Sequence, residues 1–382
     1  MHIFFVNYAD FRGPSGIHIF HLAHALNTLG VPSTILVPKR PESAAVFGQV
    51  NVMIASYAEA ESLARQQKPC IIHAWTPRES TRWMTARLSH LHGIPYVVHL
   101  EDNEDAILSS YFDVSIPLRT WRRLRLSLNP KERPLPHPKR YKEFISNASG
   151  ATVLIEELKD FVPTHVPTTV IWPACEDYIS NMPLEPNLSL REQLGIPRHH
   201  LVLTYPGNVH QNNLQDVEDL YQAVRLCRKR NLCVSLIRIG RNYVPLNRDF
   251  SDDEGTCFVE LGEIPPKDIP RFVQAADILV QPGRNTPFNH YRFPSKLPMF
   301  LASGRPVILG YTSVAKQLSH GRNAIILAEN TPEEIAEAIE MLAESPEERI
   351  RLGNAGRKFA REQFSWKRSV QNLLVFYERI LA

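Results

Sequence analysis

The fold is decided by the stretch Ala275-Ala276-Asp277-Ile278-Leu279-Val280-Gln281-Pro282-Gly283 and by the residues after it. The apolar run predicts a buried strand, and Pro282-Gly283 predicts the loop that leaves it. A short helix is then predicted from Ser295, with Lys296 in its first turn and Gly304 at its end. Another apolar run, residues 307–309, follows at once. A helix start beside a lysine is, in kind, a site for a diphosphate.

The same alternation of short apolar runs and helical patterns extends along the whole chain. Strands are predicted at residues 3–6, 33–37, 49–54, 70–74, 96–100, 151–155 and 168–171, and then at 201–205, 233–239, 258–261, 278–281, 307–309 and 324–327. Strands that alternate with helices form parallel sheets covered on both faces. We therefore expect an α/β protein with two Rossmann-like domains facing a central cleft. The predicted domains are residues 1–175 together with 366–382, and residues 176–365, with 173–197 as an irregular linker.

Composition excludes several classes of protein. The 382 residues are 43% hydrophobic and 22% charged, which is enough apolar material for two cores and excludes wholesale disorder. The formal charge of +3 is too small to indicate an obligate nucleic-acid partner. The five cysteines contain no CxxC pair, which argues against a disulfide framework and structural zinc and favours a reducing cytosol. Residues 1–6 reach polar residues too soon for a signal peptide, and no apolar run is long enough to span a membrane.

Candidate site residues in the first half follow predicted strands, because ligands of open parallel sheets bind beyond the carboxyl ends of the strands. Gly16 lies in a glycine-bearing loop before the first helix, where an ordinary turn is an equal alternative. His73 and His99 each end a predicted strand. Glu101 and Asp102 follow, and their carboxylates are suited to orient an acceptor hydroxyl or to take its proton. Helix capping and, less favoured, a divalent metal are the alternatives for this acidic run.

Candidates in the second half also follow strands. Gly207 is placed for a turn against bound substrate, and Asn208 or His210 is suited to donate to phosphate or sugar oxygens. Arg241 is a cation at the end of the next predicted strand. The segment 259–265, which includes Ile264, is expected to offer an exposed backbone edge for reading a nucleobase.

These segments resemble the retaining GT-B glycosyltransferases of family 4, the glycosyl transferases group 1. The resemblance covers nearly the whole chain, is strongest after residue 201, and is carried by Gly207, Leu261-Gly262, Ala276-Asp277, Pro294-Ser295-Lys296, Gly304-Arg305-Pro306-Val307 and a final helix within 365–381. It implies transfer of a sugar, of hexosyl type, from a UDP or GDP type of nucleotide diphosphate sugar to a glycan or lipid-linked acceptor, without a bound metal or other cofactor. In that mechanism Lys296, the helix start at Ser295 and Arg241 stabilise the leaving diphosphate, while the leaving phosphate or Glu101 takes the acceptor proton.

The sequence also departs from the family pattern. Tyr291 and Met299 stand where the family has two glutamates, and the basic residues that usually follow the Gly207 strand are missing. Lys296, Arg241 and Arg292 would then neutralise the diphosphate. Glu101 falls on or near the first-domain histidine of the family. A catalytically silent GT-B binding or partner subunit is therefore the alternative, and a GT-B epimerase or phosphorylase is a third reading that no residue favours.

A basic segment at residues 118–142 stands apart from the rest of the chain. Residues 119–142 hold nine Lys or Arg and one Glu, and an apolar stripe includes Trp121. Such an amphipathic helix suits an anionic membrane surface, so we expect a cytoplasmic protein bound peripherally to the inner face of the membrane. A solvated helix packed on its own domain and a site for a phosphorylated or lipid-linked acceptor are the alternatives.

Overall fold

The computed structural model of the chain describes residues 1–9, 13–39, 51–112, 134–176, 178–246 and 257–382. The chain divides into two compact units. Unit 1 consists of Met1–Pro173 and Trp366–Ala382, and unit 2 consists of Ala174–Ser365. The first boundary lies two residues before the one predicted from the sequence.

Unit 1 contains a parallel sheet. Its strands are β1 (Ile3–Asn7), β2 (Ser33–Val37), β3 (Met53–Ser56), β4 (Ile71–Trp75), β5 (Tyr96–Leu100), β6 (Gly150–Val153) and β7 (Thr168–Val170). They are ordered β3-β2-β1-β4-β5-β6-β7, and every pair is parallel. The strand order reverses between β1 and β4, where Asn7 pairs with Trp75 at the carboxyl edge. Open sheets of this kind bind ligands at that reversal.

Helices cover both faces of this sheet because alternate residues of each strand point to opposite sides. They are α1 (Pro14–Thr28), α2 (Ala60–Gln67), α3 (Glu79–His92), α4 (Glu104–Phe112) and α5 (Arg140–Ser146). Ile3 and Phe5 of β1 pack with α1 and the C-terminal helix, Trp366–Leu381. Phe4 and Val6 pack with α2 and α3 on the other face. The central strand is therefore buried on both sides, which its unbroken apolar run requires.

The C-terminal helix packs into the core of unit 1. Its Tyr377 hydroxyl lies 2.6 Å from Nδ1 of His73, and both groups are buried. Ser369 Oγ donates to the Trp172 carbonyl at 2.9 Å. Phe376 lies so close to β6 that a Cβ on Gly150 would come within 2.7 Å of its ring. The last residues of the chain are therefore packed as tightly as the residues of the sheet beneath them.

Unit 2 contains a second parallel sheet. Its strands are β8 (Leu201–Pro206), β9 (Val234–Ile239), β10 (Phe258–Glu260), β11 (Ile278–Gln281), β12 (Val307–Gly310) and β13 (Ile325–Leu327). The order is β10-β9-β8-β11-β12-β13, with all pairs parallel. The strand order reverses between β8 and β11, and the loops that carry Gly207 and Pro282-Gly283 leave the sheet there.

Unit 2 contains both short and long helices. They are α6 (Leu188–Gln193), α7 (Leu214–Lys229), α8 (Ile269–Gln274), α9 (Pro287–His290), α10 (Leu297–Ala302), α11 (Pro332–Glu344) and α12 (Pro346–Gln363). The two helices of unit 2 that follow β13, α11 and α12, begin with proline, and the hydroxyls of Thr331 and Ser345 cap them. These caps follow the usual rule for helix starts.

The predicted α/β fold is confirmed, since a strand lies at or near each predicted position. Two local predictions were wrong. The third strand is Met53–Ser56 rather than 49–54, and the linker predicted at 173–197 contains helix α6. Asn187 starts that helix because its side chain accepts a hydrogen bond from Leu190 N.

Most of the basic segment, residues 113–133, lies outside the described residues. Two of its remaining cations are paired within unit 1. Arg140 Nη1 lies 3.2 Å from Glu79, and Lys142 Nζ lies 2.9 Å from Asp105. Among the residues that the structure describes, no helix combines the length and apolar character that crossing a bilayer requires.

Candidate functional site

In unit 2 the carboxyl ends of β8, β9 and β10 are tied together by backbone hydrogen bonds. Gly207 N donates to Ile239 O at 2.6 Å, and Gly240 N donates to Gly262 O at 2.7 Å. Gly240 has a φ of +134°, and a Cβ there would overlap the carbonyl of Gly207. Only glycine permits this approach without strain. The turn predicted at Gly207 is therefore a close backbone crossing of two loops.

The two polar candidates after Gly207 lie on the surface of this crossing. Asn208 Oδ1 accepts from Arg241 N at 2.9 Å, so this side chain joins the two loops. The exposed His210 ring stacks on the Tyr243 ring with centroids 4.5 Å apart, and the Arg241 guanidinium lies 5.3 Å from the centre of the Tyr243 ring. His210 and Arg241 therefore both contact the ring of one tyrosine.

Two cationic side chains, Arg292 and Lys296, lie beside this crossing, and neither has a carboxylate partner among the described residues. Among the described residues, neither Arg292 nor Lys296 has a hydrogen bond or ion pair from its side-chain nitrogens; Arg292 lies over the ring of Phe288 at 5.5 Å. Burial and the neighbouring Arg292 charge lower the pKa of Lys296 to about 8. Burial, then Arg292 and Lys296, also lower the pKa of His210. The mutual repulsion shows that these three groups lie close together, and an anion would relieve it.

The start of the helix after this loop differs from the prediction. Helix α10 begins at Leu297, so Lys296 is its N-cap residue rather than a member of the first turn, and the exposed Ser295 precedes the cap. Pro298 lies in the first turn. The positive charge of the candidate site is therefore attributed to the cationic side chains, and not to the N-terminus of this helix of only six residues.

One supporting residue of unit 2 was not singled out from the sequence. Arg238, near the carboxyl end of β9, is buried and donates to Gly240 O at 2.8 Å and to Glu260 at 3.2 Å. It thereby holds the strand end that carries Arg241. The available signal was an arginine inside an otherwise apolar strand, since such a residue is buried only when paired.

The backbone edge predicted for reading a nucleobase is partly occupied. The Gly262 carbonyl already accepts the bond from Gly240, and Leu261 N donates to Arg238 O at 3.1 Å. Ile264 is half-buried and packs on the apolar cluster that includes Ile239. Its side chain therefore serves the core, and only its backbone remains a candidate for ligand contact.

In unit 1 the predicted carboxylate Glu101 is the centre of a buried polar group. Oε1 accepts from the Trp75 indole at 2.8 Å, and Oε2 accepts from the Ser15 hydroxyl. Burial raises the pKa of Glu101 to about 7, although these two hydrogen bonds and Arg78 oppose the rise. A carboxyl group with such a pKa can exchange a proton near neutral pH.

A buried arginine organises the other carboxylates. Arg78 lies 3.5 Å from Asp102 and 3.7 Å from Glu104, and its guanidinium is 4.2 Å from the centre of the Tyr8 ring. Burial raises the pKa of Glu104 to about 7 despite Arg78. Asp102 is partly exposed, so it is the member of this group that faces solvent. Arg78 and Tyr8 were missed because their strand-end positions alone did not predict this convergence.

The imidazoles near Glu101 are neutral and tightly packed. His99 stacks on Trp75 with centroids 3.8 Å apart, and His18 packs edge-on against Trp75 at 4.9 Å. Burial lowers the pKa of His18 to about 3 and also lowers that of His99. Nε2 of each ring is buried and has no hydrogen-bond partner within the described part of the chain. Ligand atoms of His18, His99 and Glu101 lie within 4.8 Å of one another, so this group could also hold a metal.

Backbone strain lies at the same edge of the sheet. Thr76, directly after β4, has a φ of +46°, and its buried hydroxyl has no hydrogen-bond partner among the residues that the structure describes. A β-branched residue in this conformation is costly, and such strain is concentrated at functional sites. Together with the unpartnered imidazole nitrogens, it marks the carboxyl edge of unit 1 as a site.

The structure contradicts the prediction that His73 faces an acceptor. His73 is the middle residue of β4 and is completely buried. Its Nδ1 pairs with Tyr377, and its Nε2 lies 2.9 Å from Thr152 Oγ1. Nδ1 therefore attaches the C-terminal helix, and Nε2 is used by a residue of β6. Gly16 is likewise buried, in the first turn of α1, rather than in the loop before it.

A cavity of unit 2 is separate from its cation group. It has a volume of about 350 Å³ and is lined by residues that include Asp277, Arg305 and Pro306. These residues precede β11 and β12, at the amino edge of the sheet. This cavity is therefore not part of the candidate site at the carboxyl edge.

Comparison with known proteins identifies the class to which this architecture corresponds. The chain superposes on the structure of Anabaena Alr3699/HepE in complex with UDP with a TM-score of 0.72 at 16% identity, covering 99% of this chain and 100% of that one. Its two Rossmann-like sheets therefore have the GT-B fold. The family model described as "Glycosyl transferases group 1" matches residues 200–345. The resemblance recognised in the sequence is confirmed.

Curated relatives match shorter segments. The spore coat protein SA of Bacillus subtilis is 31% identical over 119 residues, 30% of each chain. The D-inositol 3-phosphate glycosyltransferase of Corynebacterium kroppenstedtii is 26% identical over 201 residues, 49% of this chain and 42% of that protein. The chain thus spans less than half the length of these relatives in the matched regions.

Proposed function

We propose that this chain is a glycosyltransferase that moves a sugar, of hexosyl type, from a nucleotide diphosphate sugar to a hydroxyl acceptor with retention of configuration. The observation that carries the proposal is the group of Arg292, Lys296 and the neighbouring His210, because neither of the two cations has a carboxylate partner among the described residues. A diphosphate supplies the missing negative charge and accepts charge-assisted hydrogen bonds from these groups.

The donor is a uridine or guanosine diphosphate sugar, and the UDP class is tested first. HepE, the structural neighbour with the same fold, is described in complex with UDP. In this chain, Lys296, Arg292 and Arg241 stabilise the negative charge that develops on the leaving diphosphate, and Ser295 and Asn208 offer further donors. These residues provide the charge compensation that a metal supplies elsewhere, so transfer needs no bound metal or other cofactor.

The acceptor binds to unit 1 at the carboxyl edge around Glu101. Asp102 orients the acceptor hydroxyl, and either the leaving phosphate or Glu101 takes its proton. His99 is a positioning residue. Its ring stacks on Trp75, and the Trp75 indole donates a hydrogen bond to the Glu101 carboxylate. The acceptor is a glycan or a lipid-linked saccharide.

The second candidate function is a silent subunit that binds a nucleotide without transferring sugar. Met299 and Tyr291 favour it, because both are half-buried at the loop where the resembled family places carboxylates. A thioether cannot accept ribose hydroxyl hydrogen bonds as a carboxylate does. Nucleotide binding without consumption of any nucleotide sugar would support this alternative.

The test compares Lys296→Ala with Lys358→Ala, whose exposed side chain lies 4.0 Å from Glu362. Hydrogen bonds to charged groups contribute about 1.5–3 kcal/mol. We therefore expect Lys296→Ala to weaken UDP binding by roughly 10- to 100-fold in calorimetry. Sugar transfer should fall at least as much, whereas Lys358→Ala should match the wild type. Wild-type affinity and turnover in Lys296→Ala would contradict the proposal.

The protein is proposed to work in the cytoplasm, on the inner face of a membrane, through residues 118–142. Support comes from their sequence alone, and Arg140 and Lys142 are already paired within unit 1. Flotation with phosphatidylglycerol vesicles at low salt should recover the protein, while neutral vesicles should not. Equal recovery, or none, would argue for a solvated segment.

A further inference from the structure

A second group of metal-ligating side chains lies in unit 2, at the amino ends of β8 and β9. His199, His200 and Cys233 each offer one ligand atom, and these atoms all lie within 4.8 Å of one another. The group is at the sheet edge opposite to Gly207 and Gly240, so it is separate from the proposed donor site. We propose that these three residues form a zinc site.

The backbone brings the three residues together. Leu201 N donates to Cys233 O at 2.9 Å, and Leu201 pairs with Val234 in the parallel register of β8 and β9. The residues just before the two strands are therefore neighbours. His200 also closes a turn, since its N donates to Pro197 O at 3.0 Å. The ligand positions thus follow from the sheet and do not depend on a long flexible loop.

A neighbouring side chain orients one of the imidazoles. His200 Nδ1 lies 2.8 Å from Ser235 Oγ, and His200 is buried. Ser235 and Cys233 are two positions apart at the start of β9, so their side chains share one side of the strand. This bond uses Nδ1 and leaves Nε2 of His200 for a metal, as is usual for histidine ligands. The His199 ring packs edge-on against His200 at 4.7 Å, which restricts it as well.

The ligand chemistry selects zinc over hard cations. Two imidazoles and a thiolate suit a borderline-soft ion, whereas Mg²⁺ and Ca²⁺ prefer oxygen ligands. Zinc ligands lie about 2.0–2.3 Å from the ion, so tetrahedral binding requires only a small contraction of the group. His199 and Cys233 are exposed, which gives the ion access and leaves the fourth position to water. The missing CxxC pair argued against structural zinc, but the ligands come from segments that are distant in the sequence.

The experiment titrates the untagged, metal-free chain with Zn²⁺ alone and, separately, with Co²⁺. We expect one strong zinc equivalent and, with cobalt, a thiolate-to-metal charge-transfer band. Cys233→Ser and His199→Gln should each weaken zinc binding at least tenfold, and both positions are exposed, so the fold should survive. Cys70→Ser is the matched control, because Cys70 is also an exposed free cysteine. Cys233→His should keep zinc binding but lose the cobalt band.

Three results would overturn the inference. They are absence of a strong zinc equivalent in the wild type, unchanged affinity in both Cys233→Ser and His199→Gln, and loss of the zinc equivalent in His99→Gln, which would place the ion in unit 1. Circular dichroism of each metal-free variant checks its fold. UDP binding should be the same in wild type and Cys233→Ser, so failure of the zinc site and failure of the donor site remain distinguishable.

Discussion

Replacement of Glu101 by glutamine should stabilise the protein above neutral pH and remove the carboxylate that is proposed as one of two acceptors of the proton. The pKa of Glu101 is raised from its ordinary value of 4.5 to about 7, chiefly by burial. The folded protein therefore holds this proton up to about pH 7, whereas the unfolded chain releases it near pH 4.5. By linkage, the wild type loses stability as pH rises through this window.

The size of this stability difference follows from the same two pKa values of Glu101. At 1.36 kcal/mol for each pKa unit, a rise from 4.5 to about 7 corresponds to roughly 3 kcal/mol at pH 8 and almost nothing at pH 4.5. Glutamine has the same shape, its oxygen still accepts from the Trp75 indole, and its amide can donate to Ser15 Oγ. The variant therefore avoids the cost of a buried charge without leaving a cavity.

The assay is urea unfolding of wild type and Glu101→Gln at several pH values between 5 and 8. The stability difference should grow with pH, up to roughly 3 kcal/mol in favour of the variant. Glu143→Gln, an exposed change on α5, should differ from wild type by less than about 0.5 kcal/mol throughout. A difference that is independent of pH, or a variant less stable than wild type at pH 8, would refute the reasoning. If Glu101 takes the acceptor proton, wild-type transfer should rise with pH through about 7 and fall at least 100-fold in the variant, roughly the contribution of a positioned proton acceptor. Unchanged transfer in the variant would assign the proton to the leaving phosphate.

Three further predictions concern two particular contacts and the protonation of Lys296. Gly240→Ala should destabilise unit 2 by about 3 kcal/mol in urea unfolding, because its Cβ would overlap the Gly207 carbonyl; Gly321→Ala, at a φ of +69° with open space, should cost about 1 kcal/mol. Tyr377→Phe should lower stability by about 1–3 kcal/mol in the same assay, because it leaves a buried His73 nitrogen unpaired; an unchanged midpoint would show that this bond is not needed. UDP affinity in calorimetry should fall as pH is raised through about 8, since Lys296 then loses its proton.

Much of the fold could be predicted from the sequence, because the patterns that form strands and helices are local. The run from Ile278 to Gln281 is apolar over the length of a strand, and Pro282-Gly283 ends it whatever lies beside it. The same holds for the candidate positions at strand ends, since parallel sheets collect those ends at one edge. Glu101, Gly207 and Lys296 were predicted as candidates in this way.

Whether a side chain is buried or paired is a non-local property, and there the sequence was insufficient. His73 and His99 look alike at the ends of apolar runs, yet His73 has both nitrogens bonded, partly by a tyrosine 304 positions later. The pKa of Glu101 depends on burial by α1, β4 and β5 together, so no spacing along the chain could predict it.

The sequence by itself determined the alternation of strands and helices, the class of fold and the edge of each sheet that carries candidate ligand contacts. Tertiary structure decided which of these side chains meet. It placed Arg292 beside Lys296 and two carboxylates around Arg78. It also brought His200 and Cys233 close together at the amino ends of two parallel strands. The physical reason is that strand formation depends on neighbours along the chain, whereas charge, desolvation and metal ligation depend on neighbours in space.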